Sequence, residues 1–204
     1  MQSPSSTPPM AACPRCGLRH NCICHAEPKL HSQSHFVLLT HPREVGKATN
    51  TGQLMLRSLP HCQRPIWDRI NPPAELLAQL ADPRFQPWLL FPGDDTTPAQ
   101  PYQPQDGKIP LFIVLDATWQ EARKMVRRSP WLATLPRLAL QPTSTSHYAL
   151  RRNQQAGNLC TCEAGIALLD MLGDTHDGQQ LQQYFDTFMA VFHAEQSGHT
   201  LPAK

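Results

Sequence analysis

Short unbroken apolar runs alternate with stretches of helical periodicity along most of the chain. Residues 35–40 (HFVLLT) are apolar through the middle and stop at His41-Pro42, the pattern of a buried strand halted by proline. Residues 50–59 place Leu54, Met55 and Leu59 on one helical stripe, with Pro60 as the stop. A weak strand is expected over residues 65–67. A short helix is expected over 73–80, with Pro73 in its first turn and Leu76, Leu77 and Leu80 on one face. Residues 88–91 (WLLF) form another strand candidate, closed by Pro92-Gly93. Residues 111–115 (LFIVL) show no alternation at all, as expected of a strand covered on both faces of its sheet. A helix over 118–128, a strand over 137–140 and a helix over 161–172 follow, the last with Ala164, Leu168, Met171 and Leu172 inward. A final helix over 179–195 carries Leu181, Tyr184, Phe185, Phe188, Met189 and Phe192 on one face. Strands alternating with helices predict an α/β domain with a mainly parallel sheet.

The remaining segments set the boundaries. Residues 1–12 are Ser/Pro-rich and uncharged, and are expected to form a disordered tail. Residues 13–31 are rich in Cys and His, with too few apolar residues to fold alone, which leaves 32–198 as the α/β domain. Residues 92–109 read as a long polar loop and 146–158 as a polar, basic one. At 40% hydrophobic and 17% charged residues, the 204-residue chain is neither a disordered polymer nor a coiled coil. The longest uncharged apolar run, residues 110–115, is far short of the ~20 residues of a membrane span. No basic segment precedes an apolar one at the N-terminus, so a cytoplasmic, reducing compartment is expected. Net charge is only +2, so any contact with nucleic acid must come from local clusters.

In a reducing compartment, clustered thiols favour metal over disulfides. Four of the seven cysteines form Cys13-x2-Cys16-x5-Cys22-x-Cys24. Four thiolates can close a tetrahedral zinc site, and with no open position such a site is structural. The single residue between Cys22 and Cys24 separates this pattern from a zinc ribbon; His20 and His25 are alternative ligands, and free thiols the competing reading. Cys160 and Cys162 lack such partners and read as packing residues.

Residues 115–119 (LDATW) sit where the most apolar strand runs into a helix. A parallel α/β sheet presents its ligand crevice outside the carboxyl ends of its strands. There Asp116 either caps the helix or accepts a proton, and Trp119 either fills the core or faces the crevice. His41 to Glu44, then Asn50-Thr51-Gly52, likewise leave a strand and open a helix, as a plain N-cap or as an anion-binding terminus. Thr161 is a natural N-cap, and Glu163 in the same first turn suits the helix dipole. Arg123, Lys124, Arg127 and Arg128 put four cations on one helix, and Arg151-Arg152 add a pair. These are either solvated faces or contacts to a phosphate backbone.

Four of these elements, in this order, resemble the DTW-domain family of tRNA-uridine aminocarboxypropyltransferases. They are the cysteine knuckle, the HPxE…NTG stretch (His41, Pro42, Glu44, Asn50, Thr51, Gly52), Asp116-Ala117-Thr118-Trp119 extended by residues 121–125, and Thr161-x-Glu163-Ala164. The resemblance spans residues 13–195. It departs from the family in the knuckle, where residues 17–21 replace a basic-Pro pair, and in the cysteines flanking Thr161.

The resemblance implies a SPOUT-like fold with a C-terminal trefoil knot, which no sequence pattern would suggest. It implies that S-adenosylmethionine is the co-substrate, its 3-amino-3-carboxypropyl group passing to N3 of a tRNA uridine with release of methylthioadenosine. The roles implied are catalytic for Asp116 (as the base), Thr118 and Trp119. His41, Asn50, Thr51, Gly52, Leu115, Thr161, Glu163 and Ala164 would bind the cofactor. Cys13, Cys16, Cys22 and Cys24 would bind structural zinc. Arg43, Lys47, Arg123, Lys124, Arg127, Arg128 and Arg152 would contact tRNA. A monomer is favoured over the dimer common among SPOUT-like proteins. Rival functions are a SPOUT-type RNA methyltransferase, aminocarboxypropyl transfer to ribosomal RNA, and a non-enzymatic zinc-bearing RNA-binding module. The last should interleave aromatic and basic residues on an exposed face, whereas most aromatics here fall in strands and helix cores.

Overall fold

The fold is that of a computed structural model describing residues 11–140 and 159–196. In chain order the elements are β1 (His35–Thr40), α1 (Gly52–Ser58), β2 (Cys62–Gln63), α2 (Ala74–Ala81), β3 (Phe85–Leu90), β4 (Ala99–Gln100), β5 (Ile109–Asp116), α3 (Trp119–Arg128), α4 (Pro130–Ala133), β6 (Arg137–Leu138), α5 (Thr161–Leu172) and α6 (Thr175–Gln196).

The two most apolar strands take the middle of the sheet because neither has a polar face to offer water. β1 and β5 pair in parallel from His35↔Leu111 to Thr40↔Asp116, so both end at one level. The strand order is β2-β1-β5-β3-β6-β4, and every pairing is parallel. Phe36, Leu38, Trp88, Phe112 and Val114 face a layer of α1, α5 and α6. Val37, Leu39, Leu89, Leu111 and Ile113 face α2, α3 and α4 on the other side. Each such buried side chain contributes about 1.5–3 kcal/mol. The chain leaves β1 toward β2 on one side and β5 toward β6 on the other. The carboxyl ends of β1 and β5 therefore form the switch point at which open α/β sheets hold ligands.

Several expectations shift, each for a local reason. The strand expected over 65–67 is β2 at Cys62–Gln63, and the later stretch keeps only a bridge from Ile66 to Thr40. Pro65 has no N–H to extend the ladder. β3 starts at Phe85 and runs through Pro87, because β6 pairs only with Leu89 and Leu90 and the proline faces an unpaired edge. The 92–109 segment contains β4. Asp94 gathers Thr96 and Thr97 into a turn there, and a Cβ on Gly93 would lie 2.2 Å from the Ala99 nitrogen. α4 follows from Pro130 at a helix start, and α6 begins at Thr175, four residues before the apolar pattern shows it.

The 146–158 loop, Arg152, and nearly all of the expected 1–12 tail lie outside the described residues. So does the path between β6 and α5 on which the knot expectation turns. Among the described residues no helix is long and apolar enough to cross a membrane.

The cysteine knuckle is part of the same core. Leu18, Ile23 and Leu30 pack into the α1/α6 layer. Leu30 N–H donates to the Ser58 carbonyl at 3.0 Å, Arg57 donates to the Arg15 carbonyl, and Asp177 accepts from the N–H groups of His31 and Ser32 at 2.7 Å each.

Candidate active site

Asp116 ends β5 fully buried and surrounded by donors. Its Oδ1 accepts from Asn50 Nδ2 at 3.0 Å and Thr161 Oγ1 at 2.9 Å. Its Oδ2 accepts from Asn50 Nδ2 at 2.9 Å and from Arg64 Nε and Nη2 at 3.2 and 3.1 Å, with Thr40 Oγ1 at 3.0 Å. A single carboxylate thus ties together the ends of β1 and β5, the approach to α1, the stretch after β2, and the start of α5. A buried carboxylate holds its charge only if paired, and Arg64, its side chain 10% exposed, supplies the cation.

This arrangement separates the two readings of Asp116. It is not the cap of α3: Thr118 is, its Oγ1 accepting from Glu121 N–H at 3.4 Å while Glu121 Oε2 accepts from Thr118 N–H at 3.1 Å. The two oxygens of Asp116 receive the donors of Thr40, Asn50, Arg64 and Thr161. It acts as the fixed anion around which the edge is assembled. Thr161 likewise is not the N-cap of α5. That position is Cys160, whose N–H donates to Glu163 Oε2 at 2.8 Å, and the Thr161 hydroxyl is spent on Asp116.

The neighbours follow from this hub. Asn50 Nδ2 points at the carboxylate, since a flipped amide would set oxygen against oxygen. Asn50 Oδ1 is buried without a hydrogen-bond partner. A Cβ on Gly52 would lie 3.1 Å from that oxygen and 3.2 Å from Leu38 Cδ1, so a larger residue would press these neighbours back from the start of α1. Thr51 Oγ1 accepts from Cys162 N–H at 3.2 Å, joining the starts of α1 and α5. Cys160 and Cys162 are buried packing residues; burial pushes the Cys160 thiol up to about 12.

A second group lies at the same edge. His41 N–H donates to the Asp116 carbonyl at 3.0 Å, and its ring stacks on Trp67 at 5.6 Å with Nδ1 3.6 Å from Glu121 Oε1. Burial pushes the Glu121 carboxyl up. Hydrogen bonds from Thr118 and the charges of His41 and Lys47 outweigh it and hold Glu121 below its ordinary range. Leu115 packs toward α2–α4 and Ala164 into the opposite core, so their side chains do not reach the hub. Arg43 is 80% exposed, and Lys47 pairs with buried Glu44 at 2.9 Å. Arg123, Lys124, Arg127 and Arg128 are exposed on α3, opposite the buried Ala122, Met125 and Val126. Trp119 stacks on Phe91 and carries Arg123 over its ring. Arg64 and Thr40 have no motif around them, and sequence reasoning missed both.

The DTW domain family matches residues 10–193, nearly the whole chain and all four elements described above. The chain belongs to the DTW domain family. It is 27% identical over 158 residues to tRNA-uridine aminocarboxypropyltransferase 2 of Drosophila melanogaster, an alignment covering 74% of this chain. The chain spans 62% of the length of that curated relative. No solved structure matches it.

Two further features of this DTW domain have the shape of ligand sites. The Sγ atoms of its four knuckle cysteines lie within 4.8 Å of one another, with Cys13–Cys24 and Cys16–Cys22 at 3.8 Å and Cys13–Cys22 at 3.6 Å. Four sulfurs ~2.3 Å from one zinc at tetrahedral angles are about 3.8 Å apart, so the thiols stand where that ion needs them. Backbone N–H groups of Cys16 and Arg15 bring the Cys13 thiol down to about 6, while burial raises Cys16 and burial with the neighbouring thiols pushes Cys24 up to about 12. His20 and His25 are outside the group, which resolves the ligand set to four cysteines. Beyond the hub, a cavity of about 1160 Å³ runs between the β4/β6 edge and α5. Tyr102, Leu138, Leu159 and Ile166 supply apolar walls, and Glu163 and Asp170 line it with carboxylates. That lies just above the ~300–1,000 Å³ of ordinary small-molecule sites.

Proposed function

We propose that this chain transfers the 3-amino-3-carboxypropyl group of S-adenosylmethionine to N3 of a uridine in tRNA, in the cytoplasm. The Asp116 hub carries this reading, because it fixes Asn50, Arg64 and Thr161 at the switch point of the sheet beside a cavity of cofactor size. The relative's printed activity and the D-x-T-W motif at that position support it. The cavity suits the donor, its apolar walls taking the adenosine and its carboxylates facing a sulfonium cation.

In the reaction the N3–carbon bond forms as the carbon–sulfur bond breaks. The electron pair leaves with sulfur as a neutral thioether, and the N3 proton goes to the enzyme. No Lewis acid is needed for so good a leaving group, so alignment carries most of the acceleration, worth up to ~7–11 kcal/mol. A rigid hub of charge-assisted hydrogen bonds supplies it. The proton acceptor needs a free lone pair, and Glu121 Oε1 takes no hydrogen bond while Oε2 is held by Thr118. Glu121→Gln retains the capping box and is expected to keep stability and RNA affinity while single-turnover rates fall by ~10²–10⁴-fold. A wild-type rate would move the base elsewhere.

Mass spectrometry of nucleosides from tRNA incubated with the protein and S-adenosylmethionine tests the activity itself. The expected products are an aminocarboxypropyl-uridine and methylthioadenosine. S-adenosylhomocysteine instead would make the chain a methyltransferase, and modification confined to ribosomal RNA would change the substrate. The exposed cations of α3 are assigned to tRNA phosphates. Reversing Arg127 and Arg128 to Glu should weaken tRNA binding and lower the log–log salt slope by about 2, at ~0.7–0.9 per phosphate contact. Binding unchanged across salt concentrations would leave them as a solvated face.

A further inference from the structure

Phe91, just after β3, and Trp119, at the start of α3, stack with centroids 5.4 Å apart and planes 24° apart. Arg137 lies 5.6 Å from the centroid of Phe91 and Arg123 lies 5.3 Å from that of Trp119. The four side chains make a ladder of guanidinium, ring, ring and guanidinium. Its inner end is locked: Arg137, only 5% exposed, donates through Nη1 to Asp94 at 2.6 Å and to the Pro92 carbonyl at 3.2 Å. Its outer end is open, with Trp119 38% exposed and Arg123 exposed.

We propose that the Trp119–Arg123 end receives an unpaired nucleobase of the RNA, making this chain a reader of single-stranded RNA and not only of duplex phosphates. The inference rests on the reading of RNA as substrate. Trp119 backs the Arg123 guanidinium, whose outer plane is the face a base would stack on, and stacking of this kind tolerates all four bases. A duplex hides its base faces, so such a platform serves only a splayed-out nucleotide. Lys124, Arg127 and Arg128 continue along the exposed side of the same helix and place cations where the flanking phosphates of that strand would run. That surround of positive charge favours a polyanion over a second copy of this chain.

The test titrates the full chain with a ten-nucleotide oligouridine and with an RNA duplex of equal length, over a range of salt. Affinity and indole fluorescence are read for wild type, Trp119→Leu and Trp119→Phe. Of the four tryptophans, Trp67 and Trp88 are buried and Trp131 is half-buried, so Trp119 is the exposed indole. The single strand is expected to quench wild-type fluorescence. Trp119→Leu should bind it ~5–150-fold more weakly, with duplex affinity and salt slope unchanged, and Trp119→Phe should restore most of the affinity without the quench. A Leu variant that binds the single strand like wild type overturns the platform and leaves the RNA reading standing. Wild-type protein with no affinity for either RNA overturns both. A change of oligomeric state in the Leu variant by gel filtration would make the face a contact between copies and would also overturn it.

Discussion

Asp116→Asn is expected to destabilise the fold by about 3–5 kcal/mol, the usual cost of removing one partner from a buried ion pair. The amide supplies an N–H₂ group where Asn50, Arg64 and Thr161 already donate, so one donor faces another and Arg64 loses its counter-charge. Denaturant titration measures the loss. The pair itself is isolated by a double-mutant cycle with Arg64→Met, whose double variant should be less destabilised than the sum of the single ones. Strict additivity would show that the ion pair does not join these segments. Activity should fall with stability in the Asp116 variant, because β1, α1 and α5 lose their common anchor, whereas Glu121→Gln should separate the two. That contrast distinguishes a residue that positions the edge from one that takes a proton.

Purified, reduced protein is expected to carry about one zinc per chain, and its removal should unfold the knuckle and loosen the core beside it. Apparent binding energies of structural zinc run to ~10–16 kcal/mol, and the ordered knuckle depends on that term because its own apolar residues are few. Leu18, Ile23 and Leu30 would leave the α1/α6 layer together, along with the hydrogen bonds from Leu30 to Ser58 and from Arg57 to Arg15. Chelation or Cys22→Ser should therefore lower the thermal midpoint by many degrees. Acidification should do the same as protons displace the metal from the thiolates, stability falling with falling pH. Metal analysis showing no zinc in fresh reduced protein would end this assignment.

The apolar runs at 35–40 and 111–115 determined the centre of the sheet, because strands without a polar face have nowhere else to go. Periodicity determined α5 to the residue and most of α6, and the spacing of Cys13, Cys16, Cys22 and Cys24 marked a candidate metal cluster, from which only the structure left out His20 and His25. Those signals are local: each depends on neighbours within a turn or a strand. The D-x-T-W stretch marked where the site would lie but not what its aspartate does, since a carboxylate at a strand end caps, titrates or pairs depending on what surrounds it. Only the tertiary structure decided that. It brings Arg64, 52 residues away, and Thr161, 45 residues away, onto Asp116 and assigns the capping to Thr118 instead. It also turned Trp119 outward onto Phe91, when an indole after an apolar strand reads equally well as core. β4 was beyond the sequence for the same reason, while β2 was legible only as a strand a few residues too late and β6 as one two residues too long. Strands of two residues have no periodicity of their own: β2 and β6 form on the free edges of the longer β1 and β3, and the Asp94 turn delivers β4 to β6.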